Sequence, residues 1–397
     1  MLERWRLWIG VLATLVSAAL GLWILNPWER PPAPRLAPPE TASEVDDWEA
    51  RKTDDEHHFL PGLPLGDGVT IGAPAILANL AVFPVYSSEQ HDVGQIVPIG
   101  TAVGGKRAEV REVASWSYGA EVNELIIENR DDARLMVLGG TVLRGGLQDR
   151  LISSDMVLGP REIAHVKVYC AERSRWNAFR DGVNTNNRFE PLPFLAGTKI
   201  WVAGHFEDNQ SRVWARVADV NHRHQMSTMT GTLLATLANP TFAAERDALT
   251  REILVYLQQW DDVVGLAYAV DGKVRSLRMF ANQQLFDGFR VTLSKTMANE
   301  ALVARAGQPA EPPAEGRTDE SETTAQEQVR QLVWDLRDNG ELAGDTRLTA
   351  GNVTHRFKAR RGYSSTTYWL PPTDTKGSGH QVALAAVPLT TVVVARL

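Results

Sequence analysis

The chain has 397 residues, 44% of them hydrophobic and 22% charged, with a formal net charge of -7 and a single cysteine. At roughly 100 to 200 residues per domain this suits two or three folded units, and the composition excludes collagen, wholesale disorder and a polytopic membrane protein. Cys170 alone cannot form an intramolecular disulfide, and it excludes cysteine-based zinc sites and iron–sulfur clusters.

The first element in chain order is Leu7–Leu25, LWIGVLATLVSAALGLWIL, an uncharged run that gives about 28 Å of helix at the usual rise. Trp5, Trp8, Trp23 and Trp28 flank it at interfacial depth, and Pro27 ends it. The pattern predicts an N-terminal tail and transmembrane anchor over 1–28, with the lipid bilayer as partner through residues 7–25. A cleaved signal peptide is the rival, disfavoured because Asn26-Pro27-Trp28 follows without a small-residue cleavage site. The basic tally around the span is even. The N-terminal amine and the acidic block downstream place the short tail in the cytoplasm, so the expected localisation is a single-pass protein of the cell membrane with an extracytoplasmic body.

A Pro-rich and acidic linker follows over 29–59: PPAPRLAPP is extended, and in the stretch from Glu40 to Glu56 the acids Glu40, Glu44, Asp46, Asp47, Glu49, Asp54, Asp55 and Glu56 face only Arg51 and Lys52. The body is expected over 60–397. Its part from 60 to 206 reads as β-rich, with short apolar runs such as NELIIEN, ARLMVLGG, AHVKVYC and KIWVAGHF between turn residues. From 207 to 306 the pattern is mixed. Val213, Val217 and Val220 recur at helical spacing, Leu249, Ile253, Leu254 and Leu257 share a helical face, and Asp271-Gly272 joins two strands with a type I′ hairpin signal. A helix is expected from Gln283 to Ala304, a disordered acidic insertion over 307–326, and a short helix with terminal strands over 327–397. The expected fold class is α+β: a β-rich N-terminal half, then a helix–hairpin–helix region and terminal strands, behind one transmembrane helix.

The acidic stretches carry the negative charge, which leaves the rest of the chain near neutral. That balance argues against nucleic-acid binding. No GxGxxG after a strand, GxxxxGK[ST], GxSxG or HExxH is present, so no cofactor and no metal site is predicted. The densest polar groups are Arg144, Gln148, Asp149 and Arg150, then Glu172, Arg175 and Trp176 some twenty residues on. Each block adjoins a strand-like run, so neighbouring strands would bring them to one sheet end. Arg150 and Arg175 suit a small anionic ligand because guanidinium forks match phosphate, and pairing with Asp149 or Glu172 explains them equally. Trp176 can stack on a base or pack at a rim. Cys170 alternates with Val166 and Val168, which marks it as a buried thiol.

Asn123–Trp176 resembles the ARPP family, proteins associated with ADP-ribosylglycohydrolases and rhodanese-phosphatases. The likeness rests on Gln148-Asp149-Arg150, Cys170, Glu172, Arg175 and Trp176, on Val-Trp-x-x-Val from Val213 and Ser-x-x-Thr-Gly from Ser227, and on Gly265–Ala301. It covers about Ala75 to Pro388. The resemblance implies a role linked to ADP-ribose or NAD metabolism. The family usually has acidic residues where this chain has Gly140, Thr141 and Val142, and Asn where it has Asp149. The expected function is a membrane-anchored ligand-binding or interaction module rather than an enzyme. The alternatives are a hydrolase or transferase acting on ADP-ribose-like or nucleotide substrates, and a structural subunit of a cell-envelope complex. Mutual satisfaction of the motif residues in a dry interior would favour a structural role for them, and convergence on a pocket a ligand site.

Overall fold

The computed structural model describes residues 63–66, 68–113, 122–306, 319–349, 351–369 and 387–396. The expected anchor at 7–25 and the linker over 29–59 lie outside the described residues, among which no helix is long and apolar enough to cross a membrane.

The body is α+β and rich in strands. Ten strands form one antiparallel sheet in the order β1 (Leu63–Gly66), β2 (Val69–Ile71), β4 (Leu80–Ser87), β16 (Val263–Val270), β17 (Lys273–Phe280), β21 (Val387–Ala395), β20 (Gly362–Trp369), β19 (Asn352–Lys358) and β18 (Glu341–Thr349), with β3 (Ala75–Leu77) paired to β4. A second sheet runs β15 (Phe189–Leu195), β9 (Thr141–Gly145), β10 (Arg150–Ile152), β12 (Ile163–Cys170), β7 (Glu124–Asn129) and β6 (Ala108–Glu112). A three-stranded sheet joins β11 (Met156–Leu158), β8 (Arg134–Val137) and β5 (Ile96–Pro98), and β13 (Phe179–Arg180) pairs with β14 (Val183–Asn184). The helices are α1 (Ile99–Gly104), α2 (Thr198–His205), α3 (Gln210–Arg223), α4 (Leu234–Leu237), α5 (Pro240–Leu257), α6 (Gln283–Arg305) and α7 (Asp319–Asn339).

Side-chain alternation explains why β16 lies at the centre. Every residue of β16 is buried, and its two faces serve different cores. Leu266, Tyr268 and Val270 pack with Phe286, Phe289, Leu293 and Met297 of α6, while Ala267 and Ala269 pack with Val329, Leu332 and Leu336 of α7. Each large side chain in such a layer contributes about 1.5 to 3 kcal/mol. Gly265 is required at its position because a Cβ there would lie 2.3 Å from the Arg278 carbonyl oxygen.

Local signals set most helix starts. Asn209, Asn239 and Asn282 cap α3, α5 and α6 through their side-chain oxygens, and Pro240 opens α5. Asp271 and Gly272 take positive φ angles of 52° and 71°, as a type I′ turn demands. Two elements differ from the sequence expectation. KIWVAGHF, expected as a strand, is mostly helix α2, because a short and mostly apolar run has no clear period that separates strand from helix. Helix α7 begins at Asp319, inside the segment expected to be disordered, because its apolar residues Ala325, Val329, Leu332 and Leu336 recur at helical spacing and close the open face of the large sheet.

A buried ion pair ties the second sheet's layer to the large sheet. Asp155 accepts from Arg278 at 2.7 and 2.9 Å, from Thr390 at 2.7 Å and from the Gly139 amide at 2.6 Å. Both carboxylate oxygens are therefore satisfied, which is the condition for a buried charge to be tolerated.

Candidate functional site

The two motif blocks meet at one sheet end. Strands β10 and β12 are antiparallel neighbours with Arg150 opposite Cys170, and β9 delivers the turn that precedes β10. That turn depends on glycine: Gly145 and Gly146 have φ of 129° and 48°, and a Cβ on Gly146 would enter the Phe189 ring. Asp149, Arg150 and Glu172 are fully buried, and Gln148 and Arg175 nearly so.

Arg175 is saturated by the protein. Its Nε donates to Glu172 Oε2 at 2.9 Å, Nη1 to the carbonyls of Gly146 and Asn177, and Nη2 to the Gly145 carbonyl at 2.7 Å and to Asp149 Oδ1 at 3.5 Å. Asp149 in turn accepts from Arg180 at 3.1 and 3.2 Å, from the Gly145 amide at 3.1 Å and from Thr232 Oγ1 at 2.7 Å. Glu172 Oε2 also accepts from the Asp149 amide at 2.9 Å. Gln148 donates to the Arg173 carbonyl at 3.2 Å. Arg180, Thr232 and Glu112 complete the network and were not singled out in the sequence.

Arg150 has capacity left. Its Nη1 donates to Gln148 Oε1 at 2.8 Å and to the Cys170 sulfur at 2.7 Å, and Nη2 lies 3.9 Å from Glu112 Oε1. Nε and Nη2 have no hydrogen-bond partner among the described residues. The half-exposed Trp176 ring sits 5.4 Å from the guanidinium. Burial raises the Glu112 carboxyl pKa above its ordinary value, against the opposing Leu147 amide, Arg150 and Arg175. Burial likewise raises the Cys170 thiol, which keeps it protonated and weakly nucleophilic. Arg144 stands apart: it faces solvent and pairs with Asp181 at 3.0 Å.

An open cleft of about 190 Å³ lies beyond this network, where α2, α3, α6 and the β16–β17 hairpin converge. Lys199, Arg216, Arg223 and Arg275 line it, with Val220, Leu233 and Leu237 as an apolar wall. Arg223 is paired with Asp219 at 3.1 Å. Lys199, Arg216 and Arg275 have no carboxylate partner within ion-pair distance among the described residues. The crowding is felt: burial first, then Arg275, Arg216 and Arg223, holds the Lys199 ammonium below its ordinary pKa. Asn299, only 4% exposed, lines the same cleft with both amide atoms unpartnered, and Arg275 Nε is buried without a partner as well. No sequence motif marks this cleft. Arg216 and Arg223, seven residues apart on one helix face, are the visible trace of the cleft in the sequence.

The geometry defines an α+β body with a buried ionic network, saturated at Arg175 but not at Arg150, beside an open cationic cleft. The family model of the ARG and Rhodanese-Phosphatase-superfamily-associated Protein domain, ARPP-1, matches residues 68–367. The chain belongs to that family. No curated protein and no solved structure matches it.

Proposed function

We propose that this protein is a single-pass membrane protein whose body binds a small phosphate-bearing ligand of the ADP-ribose or NAD type in the cleft lined by Lys199, Arg216 and Arg275. The observation that carries this reading is the convergence of three cations without carboxylate partners on one cleft that also holds the unpartnered amide of Asn299. Like charges held together raise the free energy of the empty site, and a polyanion relieves it. The amide supplies both a donor and an acceptor, as a phosphate or ribose hydroxyl requires. The family's link to ADP-ribosylglycohydrolases makes ADP-ribose the first ligand to test. Residues 7–25 serve as the bilayer anchor, with the body outside the cytoplasm.

Titration of ADP-ribose, NAD and inorganic phosphate into the detergent-solubilised chain tests the proposal. Arg216→Ala and Arg275→Ala should each weaken binding by about 1.5 to 3 kcal/mol, the range for hydrogen bonds to charged groups. Wild-type affinity should fall as salt rises. Failure of all three phosphates to bind, or wild-type affinity in both variants, would sink the reading. A hydrolase acting on the same ligands is the second reading, favoured by the presence of Asp219, Asp271 and Glu300 in the cleft. Each of these carboxylates is engaged, by Arg223, by the Asn79 amide and by the Thr198 amide respectively, so binding is the preferred activity.

A further inference from the structure

The buried network and the cleft share one loop. Thr232, 4% exposed, donates its hydroxyl hydrogen to Asp149 Oδ2 at 2.7 Å, while Thr232 Oγ1 accepts from the Leu234 amide at 3.2 Å. The Thr232 carbonyl accepts from Asn221 Nδ2 at 2.9 Å, and Asn221 Oδ1 accepts from Thr236 Oγ1 at 2.8 Å. Leu233 donates its amide to the Ala171 carbonyl at 3.0 Å, next to Glu172. The chain of contacts thus runs from the motif, through Thr232, to both sides of the cleft. Leu233 and Leu237 form the apolar wall, and Asn221 rides on the helix that carries Arg216 and Arg223.

We infer that Asp149 is a positioning residue for the cleft: through Thr232 it fixes the segment 230–237, which includes α4, against α3 and so sets the spacing between the apolar wall and the cations. The inference rests on the proposed ligand site and assigns the motif a task that its burial otherwise leaves open. Asp149 suits the task because Arg180 and Arg175 already compensate its charge, which leaves one Oδ2 direction for the threonine hydroxyl. A ligand spanning wall and cations would feel a misplaced loop without touching Asp149. Displacement on the scale of 1 Å is enough to spoil such multipoint contact.

Two variants of the full-length chain test this. Thr232→Val keeps the shape and removes the donor, and Thr232→Ser restores it. In the ligand-free protein, amide hydrogen exchange at Leu233, Leu234 and Leu237 should accelerate about tenfold or more in the valine variant and return to within about threefold of wild type in the serine variant. Unchanged exchange at those amides in the valine variant would overturn the inference whatever the ligand does. With ADP-ribose as probe, the valine variant should bind about tenfold more weakly while keeping the wild-type salt dependence, because every cation remains. Arg216→Ala should instead flatten that dependence. Equal affinity of the valine variant and wild type would also overturn the inference. If the valine variant fails to fold, the serine variant carries the test: its loop exchange and affinity must match wild type, and a serine variant as loose as an unfolded loop sinks the idea. Altered loop exchange without any ADP-ribose binding by wild type would leave the positioning role standing and remove the proposed ligand.

Discussion

Arg150 and Cys170 face each other across the β10–β12 pair, and Nη1 of the arginine donates to the thiol sulfur at 2.7 Å. The thiol therefore serves as a buried acceptor for a charged donor. Its raised pKa, caused first by burial, fits that role and not a nucleophilic one. Cys170→Ser should preserve the acceptor and cost less than about 1.5 kcal/mol, whereas Cys170→Val should cost about 1 to 3 kcal/mol by leaving a charged donor undersatisfied. Urea midpoints at constant m-value measure both.

Arg175 should behave differently from the cations of the cleft. Its removal strands the carboxylate of Glu172 and the carbonyls of Gly145 and Gly146 in the interior. Arg175→Ala should therefore cost about 3 to 5 kcal/mol of stability, visible as a melting temperature lower by several degrees. Arg216→Ala should leave the melting temperature within about 0.5 kcal/mol equivalent of wild type while weakening ligand binding. A stable Arg175→Ala protein would contradict the structural role of Arg175.

Acid sensitivity should come in part from His205. The imidazole is enclosed by Trp201, stacked at 4.8 Å, with Ser154 and Ser365 hydrogen-bonding its two nitrogens, and burial pushes its pKa down to about 3. The folded value lies below the unfolded value of 6.5. The unfolded chain thus binds the extra proton first, so the stability contributed by neutral His205 is present above the unfolded pKa and is lost as pH falls from there toward the folded one. Chemical denaturation between pH 7 and pH 4 should show this loss, and His205→Gln should reduce its slope.

Glu112 should act in the opposite sense at its own window. Burial raises its carboxyl pKa above 4.5, so the native state holds a proton that the unfolded chain releases. Its contribution is full below the unfolded value and declines as pH rises through the raised one. Glu112→Gln, which keeps an acceptor for the Leu147 amide, should remove that decline, as denaturation curves just above pH 4.5 would record.

Ligand binding should be linked to protons through Lys199. Its depressed pKa reflects burial and the neighbouring Arg275, Arg216 and Arg223. A bound polyanion restores the charged form, so binding at alkaline pH below 10.5 should take up a proton. Calorimetry in buffers of different ionisation enthalpy measures the uptake, and Lys199→Met should abolish it.

A C-terminal reporter active only outside the cytoplasm should work on this chain, given the uncharged span at 7–25. Activity of a cytoplasm-only reporter at that terminus would reverse the proposed topology.

The parts of the body that could be read along the chain are those governed by near neighbours. The Asp271-Gly272 hairpin, the Asn282 cap of α6 and the helical spacing of Val213 and Val217 each follow from interactions within a few residues. The motif blocks were legible too, because each adjoins an apolar run, and β10 and β12 pair in register although β11 leaves for another sheet between them. Periodicity failed where burial is extensive, as in α2, since six of its eight residues are buried and a short element buried on most sides shows no clear stripe. The cleft was beyond reach for another reason. Lys199, Arg216, Arg275 and Asn299 come from a helix start, a second helix, a hairpin and a third helix, and only the packing of α2, α3 and α6 on the sheet brings their charges and the unpartnered amide together.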